Sequence, residues 1–186
     1  MFRRAPLPEL DDQILDWASS GNDELVQAAI STLTQISDPR IWELAIRKFT
    51  DGQILGSSNN TLGLFLNNYT PGVPDLIIDA LSWVTPRNED SHQLVWDLIN
   101  LAKKYKDQDL SEALKWGYEN TPCTNCRHNV LLQLDSIHAL TEQIIYECQF
   151  DSDERIRDFA KEKAKMIKAE LPNSNTQFGD DCKSTL

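Results

Sequence analysis

NDELVQAAISTLTQIS, residues 22–37, carries the pattern that decides the fold class. Asn22 stands where a helix N-cap is expected, and Asp23 and Glu24 place negative charge at the positive end of the helix dipole. The apolar side chains that follow recur at the three- and four-residue spacing of one helix face: Val26, Ala29, Ile30, Leu33 and Ile36. The stretch therefore predicts an amphipathic α-helix.

The same spacing continues along almost the whole chain, and no stretch sustains the two-residue alternation of a β-strand. The sequence has 7 glycines in 186 residues, which is few for the tight turns of a sheet protein. Proline and other turn signals then divide the chain into ten predicted helices, over residues 8–20, 23–37, 39–50, 58–68, 74–84, 89–105, 108–119, 122–136, 140–149 and 153–170. The predicted fold class is all-α.

Short connections between helices favour antiparallel neighbours, so the ten helices form about five predicted hairpins. The hairpins repeat roughly every 32 residues, which is typical of an α-solenoid. We expect one solenoid domain over residues 1–171. The polar, aperiodic residues 172–186 are predicted to be a disordered tail.

Two segments of the chain align without gaps, NDELVQAAISTL at 22–33 and DERIRDFAKEKA at 153–164. Both resemble the second helix of HEAT and HEAT-like repeats, and SDPRIWELAIRKF at 37–49 resembles the Asp-Pro-Arg start of a first helix. Residues 118–160 are also similar to the end of bacterial HEAT-repeat proteins of unassigned role. The resemblance implies a right-handed superhelix and brings no activity with it.

Cysteine chemistry is concentrated in TPCTNCRHNV, residues 121–130. If helices 122–136 and 140–149 form a hairpin, Cys148 comes close to Cys123 and Cys126, and the three thiols form a predicted metal site, with zinc as the metal. His128 is a weak fourth donor, because it follows Cys126 by two residues and points to another helix face. Cys182 would reach the site only from the tail.

Two other interpretations of these cysteines stay open. A CxxC pair at a helix N-terminus has the lowered thiol pKa of a redox pair, although the β-α-β context of a thioredoxin is missing from the sequence. Alternatively, Cys126 and Cys148 are small buried residues, with Thr121 capping a helix that Pro122 begins.

The remaining aromatic and histidine residues suggest structural roles. The five tryptophans fall mostly on the first helices of successive hairpins, where we expect them to fill the core between repeats; the alternative is an exposed aromatic anchor for a partner. His92, His128 and His138 are scattered and are predicted to be surface or capping residues. The sequence contains no GxSxG serine and no glycine-rich phosphate loop.

Charge and hydropathy narrow the possible partners. The net charge of −11 argues against nucleic acid, which requires clustered positive charge. Residues 1–100 hold 6 Lys and Arg against 14 Asp and Glu, so a basic protein is a suitable partner. No apolar run approaches the roughly 20 residues that span a bilayer, and no signal peptide is recognisable, so we expect a cytoplasmic protein without a membrane partner.

The predicted function is that of a non-catalytic protein-binding module, such as a scaffold, adaptor, inhibitor or assembly factor. Solenoids present long curved surfaces, and here we expect the binding face near helices 23–37, 58–68 and 89–105. One alternative is a lyase- or chaperone-like protein acting on a cofactor-bearing partner, since some HEAT-like proteins resemble bilin lyases or base-excision glycosylases. The other is a thiol- or zinc-dependent sensor that uses Cys123, Cys126 and Cys148.

Overall fold

The computed structural model describes residues 10–51, 61–84 and 90–170, and within these ranges the regular secondary structure is helical, without a strand. The predicted all-α class is thereby confirmed. The α-helices are α1 Asp12–Ala18, α2 Asp23–Leu33, α3 Pro39–Thr50, α4 Val73–Leu81, α5 Asp90–Tyr105, α6 Ser111–Asn120, α7 Thr124–Ser136, α8 Glu142–Cys148 and α9 Glu154–Glu170. Two 3₁₀ helices span Leu62–Leu66 and Gln108–Leu110.

The chain divides into two compact units, Met1–Leu140 and Thr141–Leu186. The first holds α1–α7 and both 3₁₀ helices, and the second holds α8 and α9. The predicted domain over residues 1–171 stays a prediction, and the predicted tail at 172–186 lies outside the described residues.

Side chains at the helix starts explain where several helices begin. The Asn22 side chain accepts a hydrogen bond from the Leu25 backbone N–H at 3.1 Å, as its N-cap position predicts. Asp38 caps α3 in the same way, and Pro39 stands in the first turn, where no N–H is needed. Local sequence therefore fixes these starts.

Helices of the first unit contact one another in two rows. One row runs from α3 through α4 to α6; the other runs from α2 through the 3₁₀ helix Leu62–Leu66 to α5 and α7. Across the rows, α1 packs on α2, α3 on the same 3₁₀ helix, and α6 on α5 and α7. The core between them is aliphatic, with fully buried side chains such as Ile30, Leu33, Ile41, Leu98, Leu101 and Leu114.

The predicted helix 58–68 is replaced, within its described part, by the five-residue 3₁₀ helix Leu62–Leu66. Leu62, Leu64 and Phe65 are all buried, so this segment lacks the polar face of an amphipathic α-helix. Side chains of α5 satisfy its last carbonyl: Tyr105 Oη donates to the Leu66 oxygen at 2.8 Å, and Lys104 Nζ does so at 2.6 Å. Side chains of neighbouring elements thus add to the backbone hydrogen bonds of the 3₁₀ helix itself.

Asn68 joins the end of this 3₁₀ helix to the loop between α2 and α3. Its amide nitrogen donates to the oxygens of Ile36 at 2.9 Å and Leu64 at 3.0 Å, and its Oδ1 accepts from the Asp38 backbone N–H at 2.9 Å. Asn67 adds a bond from its amide to the Thr34 oxygen at 2.6 Å. The carbonyls of Thr34 and Ile36, which follow α2, therefore accept hydrogen bonds from side chains. The helix α2 ends at Leu33, four residues earlier than predicted.

The second unit is a pair of helices in contact. On α8 the residues Ile144, Ile145 and Cys148 are buried, and on α9 Ile156 and Ala160 are buried. Asp153 caps α9 by accepting from the Arg155 backbone N–H at 2.9 Å, and Asp151 accepts from the Asp153 backbone N–H at 2.8 Å.

Candidate functional site

The CxxC sequence lies at the beginning of α7, where the two thiols have different surroundings. Cys123 is the N-cap residue and is half-buried, and its sulfur accepts a hydrogen bond from the Cys126 backbone N–H at 3.5 Å. Cys126 lies one turn further on and is fully buried. Thr121 was the expected N-cap, but its hydroxyl accepts from the Cys123 backbone N–H at 3.3 Å. The helix begins at Thr124, two residues later than the predicted start at 122.

His92 brings an imidazole to these thiols from the first turn of α5. Its Nδ1 lies 3.4 Å from the Cys126 sulfur, and the residue is exposed. One donor atom from each of His92, Cys123 and Cys126 can be chosen so that all three lie within 4.8 Å of one another. The packing of α5 on α7 creates this juxtaposition, because the residues are more than 30 positions apart in sequence.

The thiol pKa values move in opposite directions. The Cys126 N–H at the helix start, together with other donors and the nearby Arg127 charge, lowers the pKa of Cys123. Burial, followed by the neighbouring Cys123, raises the pKa of Cys126 to about 12. The site therefore combines a partly accessible sulfur whose pKa is lowered with a buried sulfur whose pKa is raised.

The structure places the other predicted site residues as follows. Cys148 is buried at the end of α8 in the second unit, and its role as a metal ligand stays a prediction. His128 lies on α7 outside the three-donor cluster. His138 is exposed and adopts a left-handed backbone conformation with φ 57°, whereas Cys182 falls outside the described residues.

The sequence missed His92 as part of this site. Metal-binding histidines are recognised by spacing along one element, and His92 belongs to a different helix from both cysteines. Its exposure agrees with the predicted surface role, but its contact with Cys126 could be found only from the packing of two helices.

A second feature is an exposed face on α4. The residues at helical spacing on this face are Asp75, Ile78, Asp79, Ser82 and Trp83, and all are exposed, the last two directly after the helix. Trp83 is 81% exposed and Ile78 36%. Two apolar side chains thus stand beside two carboxylates on one surface.

The prediction that the tryptophans fill the core is wrong for three of them. Trp17 is 38% exposed, Trp96 40% and Trp83 81%, while Trp42 and Trp116 are half-buried. The smaller aliphatic residues form the buried layer instead, and Trp42 points its indole N–H to a polar partner, the Thr70 hydroxyl, at 3.1 Å.

Comparison of the chain with protein-family models, with curated proteins and with solved structures found no match. In residues 10–51, 61–84 and 90–170, none of the helices has both the length and the apolar character required to cross a membrane. The features of the described residues that bear on function are the His92–Cys123–Cys126 cluster and the exposed α4 face.

Proposed function

We propose that this chain is a non-catalytic protein-binding module built as a HEAT-like α-solenoid, with the α4 face as its docking surface. The single observation that carries the proposal is the 81% exposure of Trp83, which directly follows α4 in line with the exposed Ile78, Asp75 and Asp79 of that helix.

The two rows of contacts in the first unit support a solenoid. A stack of helical hairpins brings first helices against first helices and second helices against second helices. The row α3–α4–α6 has the former order, and the row through α2, the 3₁₀ helix Leu62–Leu66, α5 and α7 has the latter. In this arrangement the 3₁₀ helix takes the place of a second helix.

A repeated helix start gives further support. Asp38 accepts from the Arg40 backbone N–H and Nε, both at 2.9 Å, and from Nη2 at 2.8 Å. Asp153 accepts from the same three groups of Arg155 at 2.9, 3.1 and 2.7 Å. Two helices in different units thus begin with the same Asp-x-Arg geometry, as expected where a local sequence pattern recurs along a chain.

The chemistry of the α4 face indicates the kind of partner. Tryptophan is enriched in binding hot spots, because one rigid side chain buries a large apolar area at a small cost in conformational entropy. Asp75 and Asp79 add negative charge to the same face, in a chain whose net charge is −11. A partner that offers an apolar pocket rimmed by Lys or Arg would satisfy both features.

Affinity capture from extracts of the source cell, at low and high salt, tests the proposal. We expect one basic protein to be retained at low salt and released at high salt, since exposed charges are screened. With that protein purified, Trp83→Ala should weaken binding by roughly 30-fold, the size of a hot-spot loss of about 2 kcal/mol.

Phe150→Ala is the matched control, since Phe150 is 73% exposed and lies in the other unit. It should leave the affinity unchanged, and circular dichroism should show all proteins folded. Capture of no protein at low salt, or equal affinity of the Trp83→Ala and wild-type proteins, would contradict the proposal.

A further inference from the structure

We infer that His92, Cys123 and Cys126 form a zinc-binding site with two sulfur donors and one nitrogen donor. The inference is independent of the docking face on α4, since it rests on different residues and a different chemistry. It also differs from the set predicted from the sequence, because His92 joins the two cysteines of the CxxC pair.

The distances fit a tetrahedral ion. With zinc about 2.3 Å from sulfur and about 2.0 Å from nitrogen, a sulfur and a nitrogen donor are separated by roughly 3.5 Å, and two sulfurs by roughly 3.8 Å. The Cys126 sulfur and the His92 Nδ1 are already 3.4 Å apart, and all three donor atoms lie within 4.8 Å. Small side-chain adjustments would therefore complete the coordination.

The donor types select the metal class. Thiolate and imidazole suit zinc, whereas magnesium and calcium require oxygen ligands. Two of the donors, on Cys123 and Cys126, are positioned by the start of α7, one at the N-cap and one in the first turn. The third comes from α5, which packs on α7, so the backbone that carries the three donors is helical or directly precedes a helix.

The burial of the three ligands indicates that the fourth coordination position of the zinc ion is open to solvent. Cys126 is fully buried and Cys123 half-buried, while His92 as a residue is exposed. One side of the cluster is thus covered by protein and the other faces solvent. Three protein ligands with a fourth position open to water is the arrangement of zinc sites that are not purely structural.

A thiol–imidazole hydrogen bond between Cys126 and His92 would give the same 3.4 Å distance without any metal.

A direct measurement of zinc binding distinguishes the zinc site from this hydrogen bond. The full-length chain, reduced and stripped with a chelator, is titrated with Zn²⁺ in competition with a chromophoric chelator. We expect one strong zinc equivalent per chain. Replacement by Co²⁺ should give thiolate charge-transfer absorption and the intense visible bands of tetrahedral cobalt.

His92→Gln should weaken zinc binding by at least about 100-fold, since loss of even an outer-shell partner costs 10- to 100-fold. His128→Gln is the matched control on α7 and should bind as the wild type does. Cys123→Ser provides a second ligand test at a half-buried position, where the fold is less sensitive than at buried Cys126.

Binding of zinc with equal affinity by the His92→Gln and wild-type proteins would overturn the inference. So would the absence of zinc uptake by the reduced wild-type chain, which would leave the hydrogen bond alone. Cobalt absorption without the thiolate charge-transfer band would overturn it as well, because the cysteines would then not be ligands.

Discussion

Asp97 is a buried acid whose ionisation destabilises the folded state. The substitution Asp97→Asn tests this effect. The side chain lies on α5, the residue is 3% exposed, and its Oδ1 accepts a hydrogen bond from Gln93 Nε2 at 3.1 Å. Burial raises the pKa of Asp97 from 3.8 to about 7, while the Gln93 bond acts in the opposite direction. The folded protein therefore favours the protonated, neutral carboxyl.

The sign of the pH effect follows from this raised pKa. The contribution of Asp97 to stability is fully present below pH 4, is lost as the pH rises from about 4 to about 7, and changes little above that. A pKa difference of about 3 corresponds to roughly 4 kcal/mol in the free energy of unfolding. Asparagine is neutral at every pH, so the variant should not show this loss.

An asparagine at position 97 also introduces an amide N–H₂ group, which costs roughly 1–3 kcal/mol if it is unsatisfied. We therefore expect Asp97→Asn to be less stable than the wild type at pH 4 and more stable by about 2 kcal/mol at pH 8. The difference between the two proteins should change by about 4 kcal/mol over this range, whatever the amide costs.

Urea unfolding at pH 4, 6 and 8 measures these differences. Asp79→Asn, on the exposed face of α4, is the matched control, and its stability relative to the wild type should change little with pH. Parallel pH profiles for the Asp97→Asn and wild-type proteins would refute the reasoning, because they would show that the carboxyl is charged in the fold at little cost.

Three further substitutions test the fold. Asn68→Ala should lower the free energy of unfolding, measured in urea, by about 2–3 kcal/mol, because it removes three hydrogen bonds at a buried position. The control Asn129→Ala loses one exposed hydrogen bond within α7 and should change that free energy by less than about 0.5 kcal/mol. Gly117→Ala should raise the melting temperature, since a Cβ there would meet Val95 at 3.5 Å, an ordinary contact, and alanine favours the helix by about 0.5–1 kcal/mol; a lower melting temperature would contradict this. Asp38→Ala should cost about 1 kcal/mol at pH 7 in urea unfolding. Because its Arg40 partner lowers the pKa of Asp38 to about 2, this cost should shrink as the pH falls from 4 towards 2, and a cost that does not change would oppose the assignment of Asp38 as a charged cap.

Sequence reasoning succeeded where the determinant is local. The stripe on α2 is buried at Val26, Ala29, Ile30 and Leu33, and Asn22 caps the helix as expected. It failed at residues 61–68, the described part of the predicted helix 58–68, where Leu62–Leu66 is a 3₁₀ helix bonded by side chains of α5 and by Asn68. Local helix propensity contains no information about hydrogen-bond partners that are distant in sequence.

The candidate site shows the same division. The CxxC spacing indicates two sulfurs about one turn apart near the start of α7, although the N-cap is Cys123 and not the expected Thr121. The third donor, His92, lies near the sulfurs only because α5 packs on α7. The exposure of Trp83 was likewise missed, because an aromatic residue at helical spacing has the same sequence signal whether or not another helix covers it.

Local patterns in the sequence were enough to indicate the all-α class, the starts of α2 and α3, and a strongly negative net charge. Hydrogen bonds within a few residues, apolar periodicity and summed charge depend on neighbours along the chain. Tertiary structure alone decided which helix faces are covered, that a five-residue 3₁₀ helix lies beside α5, and that an imidazole stands 3.4 Å from a buried thiol. Those outcomes depend on side-chain volumes and polar partners supplied by residues more than 30 positions away, whose meeting is fixed only when the helices pack.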